Sequence, residues 1–360
     1  MRTLIVSMII GVAAGIIDIL SVGAAIVILW SCSAQDPYSS VAQNNATPIR
    51  LFANDSFWNR PAPSDAAYAD IQDMLVNNPG HTISRLYLET ITVLTVDTSA
   101  PTVDLKLGSG WSYPERSNPK GGVLSQFRLS ADAGVAETTR NGNGHFGIYD
   151  PASGTVYQGI ALWRSPGSST MLTYQFLSKF NVNASTDHGS GGYRGAGFSA
   201  LGGMIRKGEI NSRIGHALAV LVDARGLYKN SYFTWPASKA DDNATNTVTG
   251  YLGTNMSYMM GSLLVIPSTV DVNSINWKTM QGKVIALCAQ EYGFYVSDDN
   301  ATTNAFAFAM DYQACGDIGL TVNQVTGAQT VDPAKLDYNS FFDDVMRILT
   351  MLKAVTNNHP

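Results

Sequence analysis

The sequence predicts a mainly β domain of β-sandwich or jelly-roll type with a few peripheral helices. The first observation is a long stretch of alternating, β-branched residues between Arg85 and Leu107. The second is a pair of turn signals, Asn141 to Gly144 and Pro151 to Gly154, on either side of a short apolar run. The third is composition, because 33 glycines and only 14% charged residues in 360 suit a β-rich extracellular protein better than a helical cytosolic one.

The local patterns place the elements in order along the chain. Alternation predicts two strands within 85–107, split by a turn at 97–101, and further strands at 123–129, 145–150, 155–164, 214–222, 262–265 and 294–297. The strands at 145–150 and 155–164 read as a β-hairpin. Helical spacing predicts helices at 64–77, 275–290 and 341–355, the second of them ending at Gly293.

The N-terminus predicts an extracytoplasmic protein. Arg2 precedes an apolar run from Leu4 to Trp30 that Asp18 interrupts, so residues 1–34 are either a signal peptide or a membrane anchor. The length of the run favours an anchor, whereas a carboxylate in its middle disfavours one. We expect a linker at 35–47, the β-rich domain at 48–325 and a C-terminal amphipathic helical segment at 326–360. The membrane is then a partner only through the N-terminal segment.

The charge and cysteine content indicate which partners and which compartment suit the chain. The net charge is −5 and no basic run occurs, so we expect no nucleic-acid partner. Six Asn-X-Ser/Thr sequons fit a secreted glycoprotein. Beyond Cys32 only Cys288 and Cys315 remain, and in an oxidising compartment we expect them to form a disulfide; two buried thiols are the alternative.

Several motifs occur in a fixed order. They are Ser56-Phe57-Trp58-Asn59, Gly144-His145-X-X-X-Tyr149-Asp150, Ile214-Gly215-His216-Ala217-Leu218, Trp235-Pro236-Ala237, and Tyr292-Gly293 before Val296-X-Asp298. Together they cover roughly residues 50–310, and the chain resembles in them a functionally ill-defined group of secreted bacterial and fungal proteins. The resemblance implies an extracellular β-rich domain, with carbohydrate as a candidate substrate class. It implies no specific chemistry.

Catalytic motifs of the well-known hydrolase, metalloprotease and nucleotide-binding families are missing from the sequence. What remains is a set of polar residues beside Gly-rich turns. The candidate catalytic residues are His145, Tyr149 and His216. The candidate substrate-binding residues are Arg194, Trp163, Glu209, Asp150 and His188. Gly147, between His145 and Tyr149 on one strand face, predicts open space there and hence a groove.

These residue types suit a secreted enzyme that cleaves polysaccharides. In a lyase, His145 or Tyr149 would remove a proton from a uronate whose carboxylate Arg194 neutralises. In a hydrolase two carboxylates would flank the scissile bond, but no spacing in the sequence pairs two of them. A three-histidine metal site is a weaker alternative, and we expect no metal and no cofactor. The competing class is a non-catalytic glycan-binding or structural module.

Overall fold

Strands outnumber helices in the computed structural model of the chain. It describes residues 51–359, apart from 79, 113, 131–142, 166, 184–191, 231, 302 and 323–328. Strands make up 30% and helices 19%, in large sheets with few helices, which confirms the mainly β prediction. The described residues all belong to one compact unit. The N-terminal apolar run lies outside them, and none of the helices within them is long and apolar enough to cross a membrane.

The chain forms fifteen described strands and four described α-helices. The strands are β1 Tyr68–Ala69, β2 Arg85–Thr95, β3 Thr102–Gly108, β4 Pro119–Arg128, β5 Phe146–Asp150, β6 Thr155–Ile160, β7 Thr170–Thr173, β8 Gln175–Asn181, β9 Leu218–Val222, β10 Leu263–Val265, β11 Phe294–Asp299, β12 Ala305–Asp311, β13 Thr321–Val322, β14 Gln329–Thr330 and β15 Lys353–Val355. The helices are α1 Gln72–Leu75, α2 Met280–Glu291, α3 Cys315–Ile318 and α4 Tyr338–Met351.

One ten-stranded mixed sheet dominates the architecture. Its strand order is β1-β15-β10-β11-β9-β12-β2-β5-β6-β8. Strand β2 is central and pairs in parallel with β12 on one side and β5 on the other. The predicted hairpin is present, with β5 and β6 antiparallel. Two smaller sheets accompany it, β4-β3-β7 and β13-β14.

Alternation along the strands gives the large sheet two different faces. On one face, here called the helix face, Leu88 of β2 and its registered neighbour Phe308 of β12 are both buried. Phe341 of α4 reaches this face beside Leu88. On the opposite face, here called the loop face, Glu89 and its registered neighbour Ala309 lie one residue further along. Small side chains on β12 leave room there for irregular backbone to approach the sheet.

The three-stranded sheet makes a smaller sandwich with the β5 end of the large sheet. A second hydrophobic core lies between them. Its buried members are Leu94, Val103, Leu105, Phe127, Leu129, Phe146, Ile148, Leu162 and Met171. Since these come from β2, β3, β4, β5 and β7 among others, the sheet-on-sheet part of the predicted architecture is confined to this end of the molecule.

A buried loop, residues 192–204, covers the loop face. The side chain of Gln158 on β6 accepts hydrogen bonds from Ser199 Oγ and Ala200 N, both at 3.0 Å. Leu201 occupies the space beside Gly147, where an added Cβ would lie 2.4 Å from its Cδ1. The groove predicted at Gly147 is therefore wrong, because Leu201 fills it.

Gly203 lets the end of this loop approach the sheet. It has φ of +66°, and an added Cβ would lie 2.3 Å from the backbone nitrogen of Ala219 and 2.4 Å from the Trp58 ring. A side chain here would be strained in its backbone and would collide with both neighbours. Trp58 also packs edge-to-face on Phe198, with ring centroids 5.3 Å apart. The loop is therefore held down on the sheet by aromatic packing.

The predicted disulfide is wrong, because Cys288 and Cys315 are both free and buried. Cys288 lies within α2, and its Sγ contacts the carbonyl oxygen of His216 at 3.3 Å. Cys315 begins α3, with its Sγ 3.9 Å from the carbonyl oxygen of Asp311. The two thiols therefore have different neighbours, and burial raises the pKa of both, that of Cys315 to about 12.

The C-terminal segment is part of the main sheet. The amphipathic helix α4 packs on α2, where Asp344 accepts hydrogen bonds from the backbone nitrogen and hydroxyl of Thr279, both at 2.8 Å. Strand β15 follows α4 and lies between β1 and β10. Helix α2 ends as predicted, with Gly293 at φ +82° donating its N–H to the carbonyl of Cys288.

Candidate active site

A buried ionic cluster lies on the loop face, under the covering loop. Arg194 Nη1 donates to Glu89 Oε2 at 2.7 Å, and Arg194 Nη2 donates to the carbonyl of Ala200 at 3.2 Å. His145, just before β5, places Nε2 3.4 Å from Glu89 Oε1. Arg194 and His145 are almost fully buried, while the Glu89 side chain keeps 11% exposure. We call Glu89, Arg194 and His145 the Glu89 cluster.

Several polar atoms of this cluster make no hydrogen bond within the part of the chain that the structure describes. They are both ring nitrogens of His145, Nε of Arg194 and the hydroxyl of the adjoining Tyr193. The rings of His145 and Tyr193 lie with centroids 6.5 Å apart. Buried polar groups are almost always hydrogen-bonded, so a concentration of four such atoms is a functional signal.

A second carboxyl group lies beside the same arginine. Asp298 is buried near the end of β11, after a bulge at Ser297 that changes the register of β11 against β9. Gly195, next to Arg194, would place an added Cβ 2.7 Å from Asp298 Oδ1. Because Gly195 has no side chain, the loop backbone can lie against this carboxyl group. The backbone N–H of Asp299 donates to Asp298 Oδ1 at 3.0 Å.

The pKa values of the two carboxyl groups are shifted in opposite directions. Burial alone would raise the pKa of Glu89, but the Arg194 guanidinium holds it below its ordinary value. Burial raises the pKa of Asp298 well above its ordinary value, and the negative charge of Glu89 adds to the effect. Burial also lowers the pKa of His145 to about 4, so that its ring is neutral at pH 7. An ionised carboxylate and a neutral imidazole therefore lie together, and a carboxyl group with a raised pKa lies further across the same face of the sheet.

His216 belongs to a different network. Its Nδ1 lies 2.8 Å from the carbonyl oxygen of Ala217 and its Nε2 lies 3.1 Å from Glu209 Oε2. The backbone N–H of Arg206 donates to the same carboxylate oxygen at 2.7 Å. Burial would raise the pKa of Glu209, but the charges of His216 and Arg206 lower it overall. We call Glu209, His216 and Arg206 the His216 cluster, and it lies at the start of β9.

The structure places the other predicted site residues apart from these clusters. Asp150 closes the β5–β6 turn, accepting from Ser153 Oγ at 2.6 Å. Tyr149 is half-buried and packs against the main core. Trp163 forms a β-bridge with Leu172. His188 lies outside the described residues. Of the predicted set, only His145 and Arg194 come together in one cluster, and Glu209 pairs with His216.

Glu89 and Asp298 were missed by the sequence reasoning. A signal existed for Glu89, because a carboxylate interrupts an otherwise apolar or β-branched strand. Asp298 lies just beyond the strand predicted at 294–297, whereas β11 continues to Asp299. The bulge at Ser297 hides it, since one extra residue breaks the period-two pattern.

No protein-family model, curated protein or solved structure matches the chain. Within the described residues, no group of three or more His, Cys, Asp or Glu side chains is arranged to hold a metal ion.

Proposed function

We propose that the chain is a secreted or surface-anchored glycoside hydrolase that cleaves a polysaccharide at the Glu89 cluster. One observation carries the proposal: two carboxyl groups, Glu89 and Asp298, lie beside one arginine with their pKa values shifted in opposite directions. Glycosidases need this pair, one group to protonate the leaving oxygen and one to act as base or nucleophile. The opposite pKa shifts support this assignment, which spacing in the sequence did not suggest.

The strand register sets the separation of the two groups. Asp298 is in register with Leu221 of β9, Leu221 with Ala307 of β12, and Ala307 with Tyr87 of β2. Three strand spacings of about 4.8 Å put the Cα atoms of Asp298 and Tyr87 about 14 Å apart. Glu89 is two residues further along β2. Its Cα is therefore about 16 Å from that of Asp298, and the two side chains, extended toward each other, bring their carboxyl groups to about 10 Å, which is near the separation of about 6.5–9.5 Å in inverting enzymes and well beyond the roughly 5 Å of retaining ones.

The reaction we propose is a single displacement by water. Protonated Asp298 gives its proton to the glycosidic oxygen as the C–O bond breaks. Ionised Glu89 takes a proton from the water whose oxygen bonds to the anomeric carbon. The products are a reducing end and an alcohol, and both carboxyl groups then exchange their protons with solvent. The unengaged atoms of His145, Tyr193 and Arg194 Nε would bind sugar hydroxyl groups.

The same contacts favour a hydrolase over a lyase. In a lyase, Arg194 would have to neutralise the carboxylate of a uronate. Here its guanidinium already pairs with Glu89 at 2.7 Å, and burial fixes that pairing. A second carboxylate from the substrate would therefore meet a neutralised ion pair. Neutral sugar hydroxyl groups fit this electrostatic environment better.

The test is cleavage of a polysaccharide panel by the purified protein. We expect new reducing ends without the absorbance of unsaturated uronates. Glu89→Gln and Asp298→Asn should each lower the rate about 10²- to 10⁴-fold, the usual contribution of general acid–base catalysis. Glu115→Gln and Asp65→Asn, the same changes at exposed positions, serve as matched controls and should leave the rate unchanged. Melting curves of all four variants confirm that they are folded.

Full activity in folded Glu89→Gln and Asp298→Asn would contradict the proposal. An increase in unsaturated-uronate absorbance would point to a lyase instead.

A glycan-binding module without catalysis is the second candidate, and an aromatic surface favours it. The rings of Tyr228 and Tyr232 lie 5.2 Å apart, and Tyr232 and the next residue, Phe233, are exposed. Exposed aromatic rings are a common means of stacking on sugars. If this candidate holds, the protein will be retained on an immobilised polysaccharide without cleaving it, and Tyr232→Ala will abolish retention.

A further inference from the structure

Tyr87 lies at the corner between the two carboxyl groups of the proposed site. On β2 it is two residues before Glu89 and therefore on the same loop face, because side chains alternate along a strand. Across the sheet it belongs to the registered row that ends at Asp298, with Ala307 and Leu221 between them. A sugar held between Glu89 and Asp298 would therefore lie next to Tyr87.

The side chain of Tyr87 is not engaged by the rest of the described protein. It is half-buried, yet it belongs to neither hydrophobic core, in contrast to the half-buried Tyr149, which packs against the main one. Its hydroxyl makes no hydrogen bond to another described residue, whereas the hydroxyl of Tyr251 accepts from the N–H of Asp241 at 3.3 Å. Tyrosine has an apolar ring and a polar tip, a combination that suits contact with a ligand.

The surroundings of the phenol keep it protonated. Burial raises the pKa of Tyr87 above its ordinary value, and the negative charges of Glu89 and, when it is ionised, Asp298 raise it further, while Arg194 opposes them. At pH 7 the hydroxyl is therefore neutral and can both donate and accept a hydrogen bond. The hydroxyl groups of sugars also do both, so they match it.

The exposure of side chains along β2 indicates from which side a ligand reaches Tyr87. On the loop face Arg85 is exposed, Tyr87 and Glu89 are half-buried, and Ile91 is completely buried. Exposure thus falls in one direction along the strand. The open side of the site is the end of the sheet that carries Arg85.

The opposite end of the site is closed. His145 is only 1% exposed, and Leu201 fills the space beside Gly147. Within the part of the chain that the structure describes, a polymer that reaches Glu89 from the Arg85 side therefore meets packed side chains and finds no second opening. Cleavage inside a polymer needs a groove that is open at both ends, because sugars continue on both sides of the bond.

We propose that Tyr87 binds the terminal sugar of a polysaccharide, and that the site accepts the non-reducing end of a chain that enters past Arg85. The inference rests on the proposed hydrolase function and adds which part of the substrate is cleaved. Water adds to the anomeric carbon of the terminal sugar and gives its proton to Glu89, while the rest of the chain leaves with the proton of Asp298.

The positions of the two carboxyl groups along the sheet suit this direction of entry. Glu89 is two residues further from Arg85 than Tyr87 is, so the water that it activates lies on the closed side of the terminal sugar. Asp298 is in the row of Tyr87, nearer the open end, where the glycosidic oxygen of the departing chain would be. Acid and base therefore lie on the sides that release from a chain end requires.

The first experiment determines which part of a polysaccharide is cleaved. The purified full chain is incubated with soluble starch, xylan, laminarin and galactomannan, and products are sized by mass spectrometry while viscosity and reducing ends are followed. We expect a single sugar as the early product, with viscosity almost unchanged as reducing ends accumulate. Early oligosaccharides of many sizes with a rapid fall in viscosity would overturn the chain-end inference alone. Cleavage of none of the four would overturn the proposed function as well.

The second experiment tests Tyr87 itself on the polysaccharide that is cleaved. Tyr87→Phe removes only the hydroxyl and should raise KM about three- to tenfold, the usual effect of one neutral hydrogen bond, while kcat stays within about twofold. The melting temperature should not change, since the hydroxyl has no partner among the described residues. Tyr87→Ala also removes the ring and should raise KM more than Tyr87→Phe does.

Tyr174→Phe is the matched control, because Tyr174 is an exposed tyrosine between β7 and β8, apart from the proposed site. Its KM, kcat and melting temperature should equal those of the wild type. An unchanged KM in Tyr87→Phe would overturn the role of Tyr87. A KM that rises only together with a lower melting temperature would show that the hydroxyl supports the fold, and would overturn that role too.

Discussion

The described residues include two buried His–Glu pairs, each with an arginine, and the two histidines differ in how completely their ring nitrogens are engaged. In the His216 cluster, both ring nitrogens have an acceptor, Ala217 O at 2.8 Å and Glu209 at 3.1 Å. In the Glu89 cluster, His145 is 3.4 Å from Glu89 and neither ring nitrogen makes a hydrogen bond to a described residue. The ring of His216 is therefore engaged at both nitrogens, whereas the ring of His145 is not. Incomplete engagement is what a binding site requires.

The largest expected effect distinguishes the two histidines by stability. His216→Ala leaves Glu209 buried without its ring partner, and removal of one member of such a pair costs about 3–5 kcal/mol in the free energy of unfolding. His145→Ala should cost less, about 0.5–3 kcal/mol, because Glu89 keeps its guanidinium contact with Arg194 at 2.7 Å, whereas the guanidinium of Arg206 is 3.7 Å from Glu209. Urea denaturation of both variants measures the difference. A larger loss of unfolding free energy for His145→Ala than for His216→Ala would contradict this prediction.

The second prediction concerns how the stability that depends on His145 changes at acidic pH. The pKa of His145 falls from its ordinary 6.5 to about 4 because the ring is buried. The folded state therefore binds this proton less readily than the unfolded state, so its contribution to stability is complete above pH 6.5 and is lost as the pH falls toward 4. The loss amounts to about 3 kcal/mol.

The measurement is the free energy of unfolding between pH 7 and pH 4 for the wild type and for His145→Gln. The variant should lose less stability over that interval, since glutamine does not titrate. Parallel curves for the two proteins would show that His145 is not the responsible group.

The smallest expected effect concerns how the covering loop is held over the Glu89 cluster. Gly147→Ala places a methyl group 2.4 Å from Leu201 Cδ1, and such overpacking costs about 1–3 kcal/mol. The double variant Gly147→Ala, Leu201→Ala should lose less stability than the sum of the two single variants, because each change makes room for the other. Thermal unfolding of the three variants gives this coupling directly, and strictly additive losses would refute the contact.

Local patterns predicted several of the local elements, but the helix expected at 64–77 is wrong, because residues 68–69 form β1 and only Gln72–Leu75 is helical. Alternation placed β2 and β3 on either side of the turn at 97–101, the turn signals placed the β5–β6 hairpin, and Gly293 marked the end of α2. These features depend on periodicity and turn residues within about ten positions of each other. The structure confirms them because no distant contact overrides them.

The site depends on contacts that sequence distance conceals. Glu89 and Arg194 are 105 residues apart. They meet because the covering loop, which carries Arg194, lies over β2, which carries Glu89. The disulfide prediction failed for the same reason, since counting two cysteines says nothing about where α2 and α3 put them. His145 and His216 were both candidate catalytic residues because each lies beside a Gly-rich turn, and the structure places each beside its own glutamate.

The position of strand β15 affects the order in which the strands of the large sheet pair. It lies between β1 and β10, and Asn357 just beyond it accepts a hydrogen bond from Ala67, 290 positions earlier. During synthesis from the N-terminus, β1 has no neighbour in the sheet until residue 355 has left the ribosome. Pairing of strands that are so far apart in the sequence is intrinsically slow. This part of the sheet therefore forms late, and until then the edge of β10 that β15 covers is open to pairing with other chains.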